Sequence, residues 1–447
     1  MRTYFLTFLS LFTLTLGYSQ DTLQTYSFTL EEAIAFALEN NYSAINADRD
    51  IIDAQKQKWE VIATGLPQIT GDVSYQNQLK QPVSLIPGEI AGGEPGTFIP
   101  VIFGQQHQAT ATATLRQKLF DGTYIVGVQA TKAFLSYSAN TREKTRLDIR
   151  KSVTEAYGNV LLAQESVSIF EKNLETLDKN LYETRMIFEN GLGDEESVDQ
   201  LQITKSSVEN QLKNAVRLQD ITLQMLNLMM GIAIDAPTKL EENLDVLAQK
   251  QIDLGLMETE LNMENNIDYK LALNLNQQRF YEWKQAKSRA LPTLNAFINY
   301  GSSAFADDFN FFSSDQQWFD SSVLGFDLSI PIFSSLGRSA STARAKIALE
   351  KAKTQLTEAE EQIRLQLDQS KSEYILAIEE YETAKQNLTL AERIEEKNQI
   401  KYFEGIATSF DLRQAQTQLY DAQQGYLQSM VEVINKKTGL EVILNEE

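Results

Sequence analysis

Proline is missing from two long stretches of this chain. All eight prolines lie at positions 67, 82, 87, 95, 100, 237, 292 and 331, so 101–236 and 332–447 are free of the strongest helix breaker. In the second stretch apolar residues recur at alternating steps of four and three, at Ala345, Leu349, Ala352, Leu356, Ala359 and Ile363. After a less regular stretch near Leu367 the rhythm resumes at Tyr374, Ala377, Tyr381, Ala384, Leu388 and Ala391, with Glu, Lys and Gln between. This is a coiled-coil seam, and its alanines let neighbouring helices approach closely. It predicts a helix over about Gly337–Phe403, roughly 100 Å long at ~1.5 Å per residue. No ordinary globular domain has that diameter.

The chain also repeats itself. At an offset of 225, Glu39-Asn40-Asn41 falls on Glu264-Asn265-Asn266, Ala47 on Ala272, Leu66-Pro67 on Leu291-Pro292 and Tyr75 on Tyr300. At 213, Leu115 falls on Leu328 and Phe120 on Phe333; at 214, Gly191 falls on Gly405, Gln200 on Gln414 and Gln202 on Gln416. The sequence is two copies of one unit, and the drop of 12 places extra length in the Pro/Gly-rich loop from Pro82 to Gly104.

Four segments beside the prolines alternate with period two. Ile69, Gly71, Val73 and Tyr75 share a side, as do Ala109, Ala111, Ala113 and Leu115; Leu294, Ala296, Ile298 and Tyr300; and Leu324, Phe326, Leu328, Ile330 and Ile332. Each segment approximates the 9–11 residues of a tilted membrane strand with one apolar face, although the edge of a soluble sandwich alternates in the same way. Four strands cannot close a barrel, and an open edge in lipid leaves backbone groups unpaired at several kcal/mol each. Closure therefore requires other copies: a dimer or a trimer is the smallest solution, and the trimer's twelve strands leave a lumen.

Composition narrows the function. Arg2, the apolar run from Tyr4 to Leu16 and Gly17-Tyr18-Ser19 predict a cleavable secretory signal over 1–19, too short for a membrane anchor. No later segment is apolar enough to span a bilayer as a helix. With no cysteine, neither a disulfide framework nor an acylated cysteine is available. Without Arg2 the chain has 39 basic against 61 acidic residues, a formal charge of -22, which repels nucleic acid. The single histidine, His107, argues against a His-based metal centre or a catalytic triad and reads as a polar residue opening a strand. No cofactor or enzymatic constellation is expected: Met225, Met229 and Met230 read as core, and Asp307-Asp308 have no partner base. The aromatic loop from Phe305 to Phe319 reads as packing over a barrel mouth.

The order of parts resembles the TolC-type outer-membrane efflux family. The segments that carry the likeness are Leu30-Glu31-Glu32-Ala33-Ile34, Glu39-Asn40-Asn41, Leu66-Pro67, Pro331-Ile332-Phe333 and Tyr402–Gln416 (YFEGIATSFDLRQAQ). The resemblance spans about 21–440. It implies a mainly α fold with membrane β: long helical hairpins plus four strands per protomer, the homotrimer forming a 12-stranded barrel and a periplasmic α-helical tunnel. It implies an exit duct of a tripartite efflux pump or type I secretion system, partnered by a periplasmic adaptor and an inner-membrane transporter. The alternative is a trimeric coiled-coil structural or adaptor protein.

Mapped onto the chain, this organisation has a first repeat over 20–231, a linking segment over 232–257, a second repeat over 258–440 and a tail over 441–447. Strands are expected at about 67–77, 108–120, 292–301 and 323–333, and outer loops at about 77–107 and 302–320. Hairpin tips fall near Gly191-Leu192 and Gly405-Ile406, where an adaptor would dock. Phe120 and Phe333 are expected in an aromatic girdle at the periplasmic interface. Asp411, six residues after Gly405, matches the acidic ring at the family's entrance, whereas Gln414 stands where a second acidic ring would be. Asp411 also suits a plainer role in the first turn of a helix capped by Thr408 or Ser409.

Overall fold

A computed structural model describes residues 25–445, so the expected signal at 1–19 lies outside the described residues. In chain order the elements are β1 (Tyr26–Phe28), α1 (Leu30–Asn40), α2 (Tyr42–Ala63), β2 (Gln68–Asn77), β3 (Val83–Pro87), β4 (Phe98–Ile102) and β5 (His107–Asp121). Then follow α3 (Gly122–Glu189), α4 (Glu195–Met230), β6 (Thr238–Leu240), α5 (Leu244–Lys250) and α6 (Ile267–Ser288). The chain continues through β7 (Thr293–Ala306), β8 (Trp318–Ser329), α7 (Gly337–Phe403) and α8 (Ser409–Leu444). Helix α7 has the bounds that the heptad seam predicts. Every seam position from Ala345 to Ala391 is buried or half-buried, and most of its polar neighbours are exposed.

The residues form two compact units, and each draws segments from both sequence repeats. The first comprises residues up to 49, 140–270 and 359 onward and is helical. Its core joins Val153, Tyr157 and Val160 of α3, Leu226 and Met230 of α4, Tyr374 and Tyr381 of α7, and Val433 and Ile434 of α8. Buried tyrosines bind backbone carbonyls: Tyr157 Oη donates to Phe28 O at 3.0 Å, and Tyr374 Oη donates to Gln251 O at 2.6 Å. The segment expected as a linker and equatorial band is ordered. Fully buried Asn227 donates to Ala236 O at 2.9 Å and accepts from Thr238 Oγ1 at 2.7 Å, which delivers β6 to pair in parallel with β1. Residues 441–444 of the expected tail continue α8, and Leu444 packs in the core.

The duplication is visible in this unit's hydrogen bonds. Asn41 Nδ2 donates to Met229 O at 2.6 Å, and its counterpart Asn266 Nδ2 donates to Ile443 O at 2.8 Å. Donors 225 apart thus meet acceptors 214 apart, the two offsets found in the sequence. Each asparagine ties the start of a repeat to that repeat's final helix.

The second unit comprises 50–139 and 271–358 and contains the antiparallel sheet β2-β5-β7-β8. The outer loop after β2 contains a hairpin of β3 and β4, and β7 runs to Ala306, five residues beyond the expected 301. Strand β8 starts at Trp318 but ends at Ser329, short of the expected Phe333. Pro331 has no N–H to give a ladder, so pairing stops before it.

Candidate functional site

Two parts of the molecule can act: the sheet and the helical tips. The register aligns the sheet in rows. Ile69, Leu115, Ile298 and Leu324 stand in one row and Val73, Ala111, Ser302 and Asp320 in another, on one face, with Asp320 a charged exception near the start of β8. Thr70, Thr114, Asn299 and Val323, and likewise Asp72, Thr112, Gly301 and Ser321, occupy rows of the opposite face. A largely apolar face and a largely polar face thus run across all four strands. Strand β5 carries a one-residue bulge at Leu119, so Phe120 pairs with Leu294, opposite Leu328, and joins the apolar rows instead of the polar face that its even number would give it. Phe333 lies beyond the end of β8 and is exposed.

Among the described residues the outer strands have no second partner: β2 pairs with β5 alone and β8 with β7 alone. All ten residues of β2 and eleven of the twelve of β8 are exposed. Ile69, Val73, Leu324, Phe326 and Leu328 present bare apolar side chains along these edges. Such edges invite pairing with another chain. No helix among the described residues is long and apolar enough to cross a membrane. No cluster of His, Cys, Asp or Glu among the described residues can hold a metal ion.

At the other functional region, both tips are built alike. Gly191 and Gly405 adopt φ of 73° and 75°, the left-handed conformation that glycine permits. Gly191 N donates to Phe188 O and Leu192 N to Ile187 O at 2.8 and 3.0 Å; Gly405 N donates to Tyr402 O and Ile406 N to Lys401 O at 3.0 and 2.8 Å. Both are Schellman caps, which satisfy the last carbonyls of a helix. They leave Leu192 and Ile406 81% and 72% exposed. The returning helices are capped at equivalent positions, by Asp194, which accepts from Ser197 N at 2.7 Å, and by Thr408.

Asp411 completes a capping box. Its N–H donates to Thr408 Oγ1 at 3.2 Å, and its Oδ2 accepts from Thr408 N at 2.9 Å and Thr408 Oγ1 at 2.7 Å. The exposed side chain is therefore fixed, with Oδ1 free of these bonds. The Thr408 hydroxyl and backbone bonds, helped by Lys401, hold its carboxyl below the usual range. Gln414 is also exposed, one turn on. The first tip adds carboxylates that the sequence reading passed over, Asp194, Glu195 and Glu196; the marker was their place in the turn after Gly191, equivalent to Thr408–Phe410. The hairpins are tied by Gln399 Nε2 donating to Asn180 Oδ1 at 2.8 Å, by Thr184 and Tyr402 hydroxyls at 3.1 Å, and by Ser409 Oγ donating to Gln200 Oε1 at 3.1 Å.

A sheet with one largely apolar face and two open edges, in a chain that also has duplicated long helical hairpins, fits the class of membrane ducts. The chain belongs to the outer membrane efflux protein family, whose model matches residues 34–232 and 263–446. A comparison with curated protein sequences finds no significant match. Solved structures with the same fold include the outer membrane protein VceC of Vibrio cholerae (17% identity, TM-score 0.71, covering 93% of this chain and 96% of that one). The CmeC outer membrane channel of Campylobacter jejuni is similar at 16% identity and TM-score 0.71, covering 93% and 85%. The open state of the MtrE outer membrane channel of Neisseria gonorrhoeae is similar at 17% and 0.71, covering 93% and 89%. At these identities the likeness establishes the fold; the family match establishes an efflux duct of the outer membrane that extends into the periplasm, a conduit family. The coiled-coil or adaptor alternative is not favoured, since the match spans both repeats.

Proposed function

We propose that three copies join edge to edge, β8 of one beside β2 of the next, so that twelve strands close around a lumen and the helical hairpins continue it as a tunnel. The observation that carries this reading is the pair of bare edges on a sheet whose two faces differ in polarity. Closure satisfies the edges, turns the apolar rows to lipid and leaves Asp72, Thr112 and Asn299 facing water. Phe120, moved to the apolar face by its bulge, and Phe333 belong to the girdle at the periplasmic interface. The signal at 1–19 directs export, and the repeats at 20–231 and 258–440 with the segment between them form the mature protomer.

In this reading the tips meet a periplasmic adaptor, which couples the duct to an inner-membrane transporter. Leu192 and Ile406 are apolar, rigidly presented and exposed at the two Schellman turns, with Gly191 and Gly405 setting their direction. Asp411 rings the entrance and favours cations, and Gln414 adds polarity without charge. The double variant Leu192→Ser and Ile406→Ser is expected to abolish efflux-dependent growth in the presence of toxic compounds while leaving assembly mass in detergent unchanged. Undiminished growth protection would remove the tips from the docking surface.

A further inference from the structure

The second unit has a charge asymmetry that the duplication makes visible. Residues 283–290 and 332–349 flank the helix-side ends of β7 and β8. They hold Lys284, Lys287, Arg289, Arg338, Arg344 and Lys346 and no carboxylate, in a chain whose net charge is -21. Their counterparts in the first copy, 58–65 and 119–136, hold Lys58 and Lys132 against Glu60 and Asp121. Only the second copy concentrates positive charge at this level.

Three of these cations border an open cavity of about 560 Å³ between the end of α6, the 332–336 loop and the start of α7. Lys287, Arg338 and Lys346 line it, and none of them takes part in an ion pair among the described residues. Arg338 is fixed by Nη2 donating to Pro331 O at 2.9 Å, and Lys287 lies over the Trp283 ring at 5.7 Å. Apolar side chains share the same cavity: Ile332, Phe333 and Leu336 are 90%, 81% and 75% exposed. The loop holds Ser335 and Leu336 at φ of 47° and 63°, a region L residues rarely adopt, and persistent strain of this kind points to use.

We propose that this cavity binds an anionic phospholipid of the periplasm-facing leaflet. The phosphate sits among Lys287, Arg338 and Lys346, and an acyl chain lies along Ile332, Phe333 and Leu336. The placement rests on the duct reading, in which the strand ends that meet helices lie at the periplasmic interface. There an apolar surface meets the hydrocarbon edge and a basic one meets headgroups. The aromatic rings of Trp283 and Phe333 suit the same level.

The test is native mass spectrometry of the detergent-purified full chain titrated with phosphatidylglycerol, phosphatidylcholine or inorganic phosphate. Phosphatidylglycerol is expected to bind at least tenfold more tightly than phosphatidylcholine and to resist millimolar phosphate. The exposed pair Lys287→Gln and Lys346→Gln should weaken it about thirtyfold, each cation being worth about fivefold at a membrane surface. The first-copy changes Lys58→Gln and Lys132→Gln should leave it unaltered. Equal binding of the two lipids, competition by free phosphate or indifference to the lysine pair would overturn the site. The same spectra report the assembly: three-chain masses without lipid preference sink the pocket and spare the duct, whereas lipid-selective single chains do the reverse.

Discussion

Gly231→Ala is expected to destabilise the protein by about 2–5 kcal/mol, combining left-handed backbone strain with overpacking. Gly231 caps α4 at φ of 78°, with its N–H donating to the carbonyls of Asn227 and Leu228. A β-carbon there would overlap the carbonyl oxygen of Asn40, a backbone atom at the end of α1. The neighbour cannot yield cheaply, because Asn41, next in the chain, is bound to Met229 O at the end of α4. The equivalent position in the second copy, 214 residues on, is Asn445, which caps α8 at φ of 57°. Asparagine tolerates that conformation better than other residues with a β-carbon. Asn445→Gly should therefore be nearly neutral. Thermal unfolding of both variants in detergent, followed by circular dichroism, separates them; a melting temperature unchanged in Gly231→Ala would mean that the α1–α4 junction is not held as described.

Asp411→Asn is expected to reduce cation over anion selectivity severalfold in single-channel recordings. Asparagine keeps an oxygen to accept the Thr408 N–H and hydroxyl bonds, so the cap survives and only the charge is lost. Alanine would remove both and blur the result. The pH dependence has a definite sign. The folded carboxyl lies below its ordinary value, so it stays ionised at every pH above the unfolded value near 3.9, and its contribution to stability and its expected effect on selectivity hold there. Both are lost only as pH falls below that value toward the folded one. Wild-type selectivity should be flat between about pH 7 and pH 5. If Asp411→Asn leaves selectivity intact, the charge that matters is at the first tip, on Asp194, Glu195 and Glu196.

Much of the architecture is legible in the residues because it repeats. The seam from Ala345 to Ala391 predicts α7 to its terminal residues, and pairs such as Asn41 with Asn266 announce equivalent bonds before any coordinate is known. Glycine marks both tips because few other residues accept φ near 75°. Strand ends are less legible. The apolar rhythm continues from Leu328 through Ile330 and Ile332, but pairing is a property of two strands and ends where Pro331 cannot donate. The bulge at Leu119 leaves no local signature, although it decides which face Phe120 takes. Strands β3 and β4 are hidden by Pro82, Pro87, Pro95 and Pro100, residues that read as loop yet fit a two-stranded hairpin in which Leu85 lies opposite Pro100. The carboxylates of the first tip become a candidate set only when the two turns are compared position by position, because at the offset of 214 they fall on Thr408, Ser409 and Phe410, and Asp411 falls on Ser197.

This chain is expected to become a duct only as an assembly closed through β2 and β8. The measurement that tests it most directly is planar-bilayer conductance of the detergent-purified, signal-processed protein, with its mass determined in the same detergent. The account predicts particles of three chains that form small, cation-selective channels. Single chains that carry no current would contradict it.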